Sequence, residues 1–483
     1  MESEASMLSL LLILIPLAGS LLTLSVKGRL SVRAAQCSAW VSALLTVFAA
    51  CRFQAHPDDF RVQAEWVRSL GIGFALSVNG LNIILLLLTG LLTPFLLLAS
   101  AQNRYSHEPV FYALVLLMQA SLFGVFLAAD GFVFYVFYEL ALIPIYFIGA
   151  VWGGKNRIRI TLKFFLYTLI GSLLMLAAII FLGVKAHSFS IPAWYHLSLT
   201  ATEQTWIFWA FFLAFAVKIP IFPFHSWQPD TYTDAPVGGT MLLSGIMLKM
   251  GLYGLLIFIL PLTPLALHSY GTLAMVLCVT GIIYASVIAL KQDDMKTLIA
   301  YSSIAHVGLI AAGLLSGTQQ GIQGALLQML NHGISVVALF FCIDFIERNT
   351  GTRLLSQLGG ISNRSVRFAV FFMVVLLGSV GLPLTNGFIG EFLLLFGIYQ
   401  WSAWMALFAG TTIILGAVYM LRLYKLSFLG EASPASLRIP ALNPTAYLLL
   451  IPLCAAILFL GIYPNSLLQL SDAAVHQFLS LLS

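Results

Sequence analysis

Residues 211–230 read FFLAFAVKIPIFPFHSWQPD. An apolar run ends at Lys218, and Pro220 and Pro223 follow at once. A proline inside a helix removes a backbone donor and clashes with the preceding turn. The helix leading into Lys218 must therefore break there. Two readings of the lysine are open. It snorkels to a nearby interface, or the carbonyls freed by the break form a polar, hydratable pocket that holds it. The run after the break stays apolar and aromatic, which favours the pocket.

Working outward, the same apolarity fills the chain. Of 483 residues, 60% are hydrophobic and only 8% charged, against about 25% charged in soluble domains. Runs long enough to span a bilayer, on the order of 20 residues, recur near 7–25, 34–51, 79–100, 109–128, 131–151, 163–184, 205–219, 239–260, 270–290, 298–316, 319–343, 366–400 (interrupted), 403–421 and 444–463. The alternation of barrel strands is absent, so helices must satisfy the backbone in hydrocarbon. The expected fold is an all-α membrane protein with about 14 transmembrane helices.

The N-terminal MESEAS has neither a basic n-region nor a clear cleavage site, so residues 7–25 read as a retained first helix. Cys37, Cys51, Cys278, Cys342 and Cys454 are scattered through apolar segments without a C-x-x-C. They read as small buried hydrophobes, which supports neither an iron–sulfur site nor a disulfide framework. No glycine-rich phosphate loop and no metal-ligand spacing occurs, so redox and nucleotide chemistry are not expected in this chain.

Lysines and arginines set the orientation. With both termini on the non-cytoplasmic side, 17 loop cations face the cytoplasm and 4 face outward. The net charge of +5 is then positive-inside bias and calls for no nucleic-acid partner. Lys218 and Lys249 alone fall within membrane segments, where Glu139 and Glu391 join them. Each ionisable group at a helix centre costs roughly 2.5–3.5 kcal/mol, so four cost about 10–14 kcal/mol before pairing or hydration.

The organisation hints at a repeat. Pro220 in AVKIP and Pro383 in SVGLP are 163 residues apart, as are Tyr138 and Tyr301. Residues 109–260 and 270–421 then form two five-helix units. An odd helix count makes them inverted repeats, each with a broken helix, an arrangement seen in secondary transporters. Residues 1–108 supply N-terminal transmembrane helices, and 422–483 a C-terminal segment with the last one.

Several polar residues lie inside these spans. Glu139 sits deep in its helix and reads either as a structural ion pair or as a proton site. Lys249 lies midway along GTMLLSGIMLKMGLYGLLIFI (239–259), with Gly245 and Gly251 permitting close approach of a neighbour. Ser302 and His306 share a helix face, with Ser303 beside them and His332 in the next helix. Histidines titrating near neutrality beside lysines and glutamates suggest a proton relay. Glu391 follows Pro383, Gly387 and Gly390, a second break with an ionisable residue nearby.

The stretches FYVFYELALIPIYFIGAVWG, TLKFFLYTLIGSLLMLAAI, KIPIFPFHSWQPDTYTDAPVGGTMLLSGIMLKMGLYGLL, IAYSSIAHVG, LLQMLNHGISVVALFF and GLPLTNGFIGEFLLLFG resemble, in order, the antiporter-like subunits of respiratory complex I. Among these the chain looks most like the M type, because Glu391 stands where other types typically carry lysine. The resemblance implies that Glu139 and Lys218 are paired charges, Lys249 the central lysine, and His306 and His332 relay residues toward Glu391. Tyr232 departs from the pattern, standing where the family commonly has a histidine.

The resemblance implies a proton-translocating subunit of NADH:quinone oxidoreductase in a bacterial plasma membrane, driven by redox chemistry elsewhere. No cofactor is expected in this chain; NADH, FMN, iron–sulfur clusters and quinone would belong to partner subunits. Expected partners are other membrane subunits, especially neighbouring antiporter-like ones, and the lipid bilayer. The alternatives are a subunit of a multi-subunit cation/proton antiporter, one of a membrane-bound hydrogenase, and a scaffold that conducts nothing.

Overall fold

The computed structural model of the chain describes residues 2–55 and 60–482. Among these, twelve helices are long and apolar enough to cross a membrane. Two expected spans fall outside the twelve, and both are the broken ones. The first is Ala201–Lys218, followed after the two prolines by the short helix Gln228–Asp234. The second, read as 366–400, divides into Val366–Ser379 and Asn386–Trp401. The breaks lie where proline removes backbone donors.

One element escapes the helical reading. Strands Arg61–Val67 and Ile72–Ser77 pair as an antiparallel hairpin, turned by Gly71 at φ +68°, a conformation that favours glycine.

The chain divides into two compact units. The first comprises Met1–Ile219, Asp234–Leu273 and Gln469–Ser483. Its most enclosed helix is Val237–Leu262, which widens into π turns at Leu243–Met247 and Leu255–Ile259. Lys249 lies between them, in Leu248–Gly254. Single π turns inside α-helices concentrate at functional sites. Gly251 and Gly254 face the Ala201–Lys218 segment. A Cβ on Gly251 would stand 2.7 Å from Ile219 Cγ1, and one on Gly254 2.4 Å from Phe215 Cε1. Glycine is what lets these helices approach so closely.

The second unit comprises Pro220–Thr233 and Ala274–Leu468. Gln319–Thr350 is enclosed along its spanning window and packs against Asn386–Trp401 through small residues. A Cβ on Gly397 would meet the Gly321 amide nitrogen at 2.5 Å. The side chain of Asn331 donates to the Asn386 carbonyl at 2.7 Å, locking the two helices together.

Two readings need correction. Cys37 and Cys51 are exposed, while the other three cysteines are buried. Both belong to Arg29–Ala55, whose spanning window is only 39% buried, so much of its surface is left uncovered. Lys296, taken as a loop cation, is a buried residue of the first turn of Met295–Leu315, 5% exposed. It is tolerated because Asp294, Asp344 and Glu347 lie close enough to interact with it, and Arg353 cross-links Asp294 and Glu347 beside it.

The helix that carries Glu139 starts at a buried cap. Asp130, 2% exposed, accepts from the Phe132 and Val133 amides at 2.8 and 3.2 Å and from Gly73 of the hairpin at 3.3 Å. Burial raises its carboxyl from 3.8 to about 6, against the opposing pull of those backbone donors. A folded-state value above the unfolded one means that the folded chain binds the extra proton. This contribution therefore favours folding at low pH and fades as pH rises through about 6. Asp130→Asn should flatten the dependence of thermal unfolding on pH between about 4 and 6, measured in detergent. Asp130→Ala should also lose the cap, at about 0.5–2 kcal/mol.

Candidate functional site

In the first unit the ionisable groups gather around the end of Ala201–Lys218. Lys218 is 1% exposed, which rules out snorkelling. Its Nζ lies 5.2 Å from the Tyr138 ring centroid and 5.9 Å from that of Phe164. Aromatic faces attract a cation without donating or accepting a proton. The Lys218 ammonium has no hydrogen-bond partner among the described residues.

Glu139 interacts with Lys218 electrostatically. Its helix is interrupted immediately afterward, between Gly131–Leu140 and Leu142–Trp152. Pro144 cannot donate to the carbonyl four residues back, which accounts for the interruption. Glu139 lies beside the Ser172 side chain, and its buried Oε1 has no hydrogen-bond partner among the described residues. The two charges thus sense each other without closing a contact pair.

Lys249 is fully buried and donates to the Ser244 carbonyl at 2.6 Å, within the π-widened stretch of its own helix. The Ser244 hydroxyl in turn donates to the Thr240 carbonyl at 2.7 Å. The helices bearing Lys218 and Lys249 touch at Gly251, whose added Cβ would lie 3.2 Å from Lys218 Cβ.

In the second unit the predicted relay residues come together. His306 Nδ1 and Glu391 Oε1 are 3.1 Å apart, with both side chains buried. Their alignment is not that of a hydrogen bond, and Glu391 Oε1 is otherwise unpartnered among the described residues. The His306 and His332 rings are 6.1 Å apart between centroids. His332 Nε2 lies 3.1 Å from Ser303 Oγ. Ser302, Ser303, His306 and His332 line one small cavity with Gln328, Asn331 and Ser335. The space open to water centres is about 20 Å³, room for about one water where polar groups line it.

The second break shapes the seat of Glu391. Gly381 takes φ +66°, and a Cβ there would stand 2.4 Å from Glu391 Oε2. Leu384 also has a positive φ, +74°, a costly conformation for a bulky residue. Gly461 of the helix Pro444–Ile462 lies under this backbone, its added Cβ only 2.4 Å from the Leu384 carbonyl oxygen. Pro383 therefore sits within a tightly seated turn.

Sequence reasoning missed three contributors. Tyr232, noted only as a departure, is fully buried beside Ser303. Tyr419 is fully buried with its hydroxyl 2.9 Å from Ser302 Oγ. His225 stacks on Phe222 at 5.6 Å between ring centroids and meets Tyr284 edge-on at 5.1 Å. The tyrosines sit in aromatic-rich runs where a hydroxyl facing a serine leaves no periodic signal, and His225 stands among aromatic neighbours in the stretch after Pro223 with nothing in the sequence to single it out.

Residues 128–416 match the family model described as NADH:quinone oxidoreductase/Mrp antiporter, TM. The chain belongs to this family. The NADH-quinone oxidoreductase subunit M of Rickettsia typhi is 39% identical over 452 residues, covering 92% of this chain and 91% of that relative. A chain of respiratory complex I from Thermus thermophilus superposes with a TM-score of 0.91 at 30% identity, covering 98% of this chain and 100% of that one. A chain of the Mrp complex from Dietzia sp. gives a TM-score of 0.83 at 22% identity, covering 97% of this chain and 52% of that one. That second likeness shows the shared fold alone. Within the NADH:quinone oxidoreductase/Mrp antiporter family, the oxidoreductase reading is therefore supported over the antiporter one.

The cradle at Gly381 makes a direct prediction. Gly381→Ala should displace the Glu391 carboxylate and force an unfavourable φ on alanine, at about 1–3 kcal/mol. Proton pumping by the assembled complex should fall while the subunit remains incorporated, read by vesicle acidification against subunit content.

Proposed function

We propose that this chain is an antiporter-like membrane subunit of the M type in a proton-translocating NADH:quinone oxidoreductase. It moves protons through buried Glu, Lys and His groups and performs no redox step itself. The observation that carries the reading is Lys218, enclosed at a broken helix, between aromatic faces, with Glu139 as an electrostatic partner held short of contact.

Such a pair suits a proton site. Burial penalises the ammonium, and the Glu139 carboxylate offsets that penalty. While Glu139 is charged and near, Lys218 keeps its proton. When Glu139 is neutralised or moves away, Lys218 releases it, and Lys249 is the next basic group of the unit. Ser302, Ser303, His306 and His332 serve as the relay toward Glu391 in the second unit. Hydroxyls and neutral imidazoles suit this role because each can accept one proton while donating another.

The wider setting belongs to the same proposal. Residues 109–260 and 270–421 are inverted repeats with hinges at Pro220 and Pro383. Both termini lie on the non-cytoplasmic side of a bacterial plasma membrane, in keeping with 16 loop cations against 4 once Lys296 is set aside. Neighbouring membrane subunits, including other antiporter-like ones, are its partners. NADH, FMN, iron–sulfur clusters and quinone reside in other subunits of the complex.

Lys249→Ala in the assembled complex should abolish or strongly reduce pumping coupled to NADH oxidation. The readout is the proton-to-electron ratio in sealed vesicles, with subunit incorporation checked by blotting. An undiminished ratio would remove Lys249 from the path.

A further inference from the structure

We propose that the first unit carries a lipid site, a cavity beneath the helix Asn465–Leu479 that takes one acyl chain of a membrane phospholipid. The site goes beyond the relay reading and does not depend on it. The space open to water centres is about 210 Å³, against about 20 Å³ for the cavity beside His306. Its floor is buried and apolar, made by Leu81, Ala128, Ile191, Ile257 and Phe478. Pro192, Gln477 and Leu481 line it where the chain is exposed, and so form its mouth.

Polar groups on the wall are already engaged within it. Asn79 Oδ1 accepts from the Leu81 and Asn82 amides at 2.9 and 3.1 Å. The Tyr195 hydroxyl donates to the Ile257 carbonyl at 3.0 Å. An enclosed water takes about 10–15 Å³ on this measure and needs about two to four polar partners. The space therefore has room for many waters and partners for few. Close-packed interiors do not keep voids of that size, and hydrocarbon is the filling that an apolar floor favours. The roof cannot settle onto the floor, because it is pinned at Gly80. A Cβ there would stand 2.6 Å from Ala474 Cβ and 2.8 Å from the Leu470 carbonyl oxygen. The helix is thus held close along Leu470–Ala474, and the gap opens beyond it.

The depth of the cavity decides the occupant. Ala128 directly follows the span Glu108–Leu127, Leu81 lies just before the span Ile83–Ser100, and Ile257 is near the end of Val237–Leu262. Three spans end at this one space, which puts it where hydrocarbon gives way to head groups. The roof fits the same level. Its residues from Gln469 onward belong to the first unit. Val475 and Phe478 are buried, while Asp472 and His476 are exposed and lie 3.6 Å apart. A helix with one apolar and one charged face lies in the plane of the interface. A phospholipid whose head group stays in that layer enters the cavity with its tail, past Leu481.

The test is photolabelling of the full chain in its native membrane with a phosphatidylethanolamine bearing a diazirine on one acyl chain. Labelled peptides are mapped by mass spectrometry, so the readout is independent of pumping. The wild-type chain should carry adducts on Ile257 and Phe478. Ala129→Phe fills the space from a wall residue, and Leu481→Asp puts a charge at the mouth. Each should lose those adducts while labelling elsewhere on the chain persists. Leu481 is exposed, so its variant supplies the answer if Ala129→Phe fails to fold. Loss in either variant supports the site. Wild-type adducts that miss Ile257 and Phe478, or that stay unchanged in the variants, would overturn it. An isoprenoid quinone bearing the same diazirine is the second probe. Adducts in the cavity from that probe alone would overturn the assignment to a phospholipid.

Discussion

The structure turns on an ammonium group that meets no hydrogen-bond acceptor among the described residues. Lys218 ends its helix among aromatic faces, buried and without a hydrogen-bond partner among the described residues. In hydrocarbon such a charge survives only through a field supplied from nearby. Glu139 supplies that field from beside its own helix interruption, without closing a contact. A closed pair would be a static strut. An open one leaves the affinity of Lys218 for its proton under the control of its neighbour.

The backbone around these charges is irregular in a consistent way. Lys249 is bracketed by π turns and bonded to a carbonyl of its own helix. Glu391 sits against a left-handed glycine at the second break. Non-regular backbone exposes carbonyls and amides, and within a membrane it is tolerated where protein encloses it. The same glycines that permit close helix packing also make room for the carboxylate and the lysine stem. Packing and chemistry are therefore served by the same positions.

Much of this was readable from residues alone, for a physical reason. A charge in an apolar run, or a proline beside it, is conspicuous against hydrocarbon-facing sequence, so Glu139, Lys218, Lys249 and Glu391 stand out. His306 and His332 stand out likewise, and the structure brings them together beside Ser303. What was not readable depends on contacts between distant segments. Lys296 looked like a loop cation because two of its three compensating acids, Asp344 and Glu347, lie about fifty residues away in the chain. Tyr419 looked like one aromatic among many, since its serine partner is separated from it by 117 positions. The hairpin at Arg61–Ser77 was hidden because its first strand is largely exposed and carries no clean alternation.

The central claim, that Glu139 acts through Lys218, is most directly tested by a double-mutant cycle on the proton-to-electron ratio. Glu139→Gln, Lys218→Ala and the double variant are compared in assembled complexes of equal subunit content. The account predicts that the Glu139 change has little further effect once Lys218 is gone. An equal effect of Glu139→Gln with and without Lys218 would contradict it.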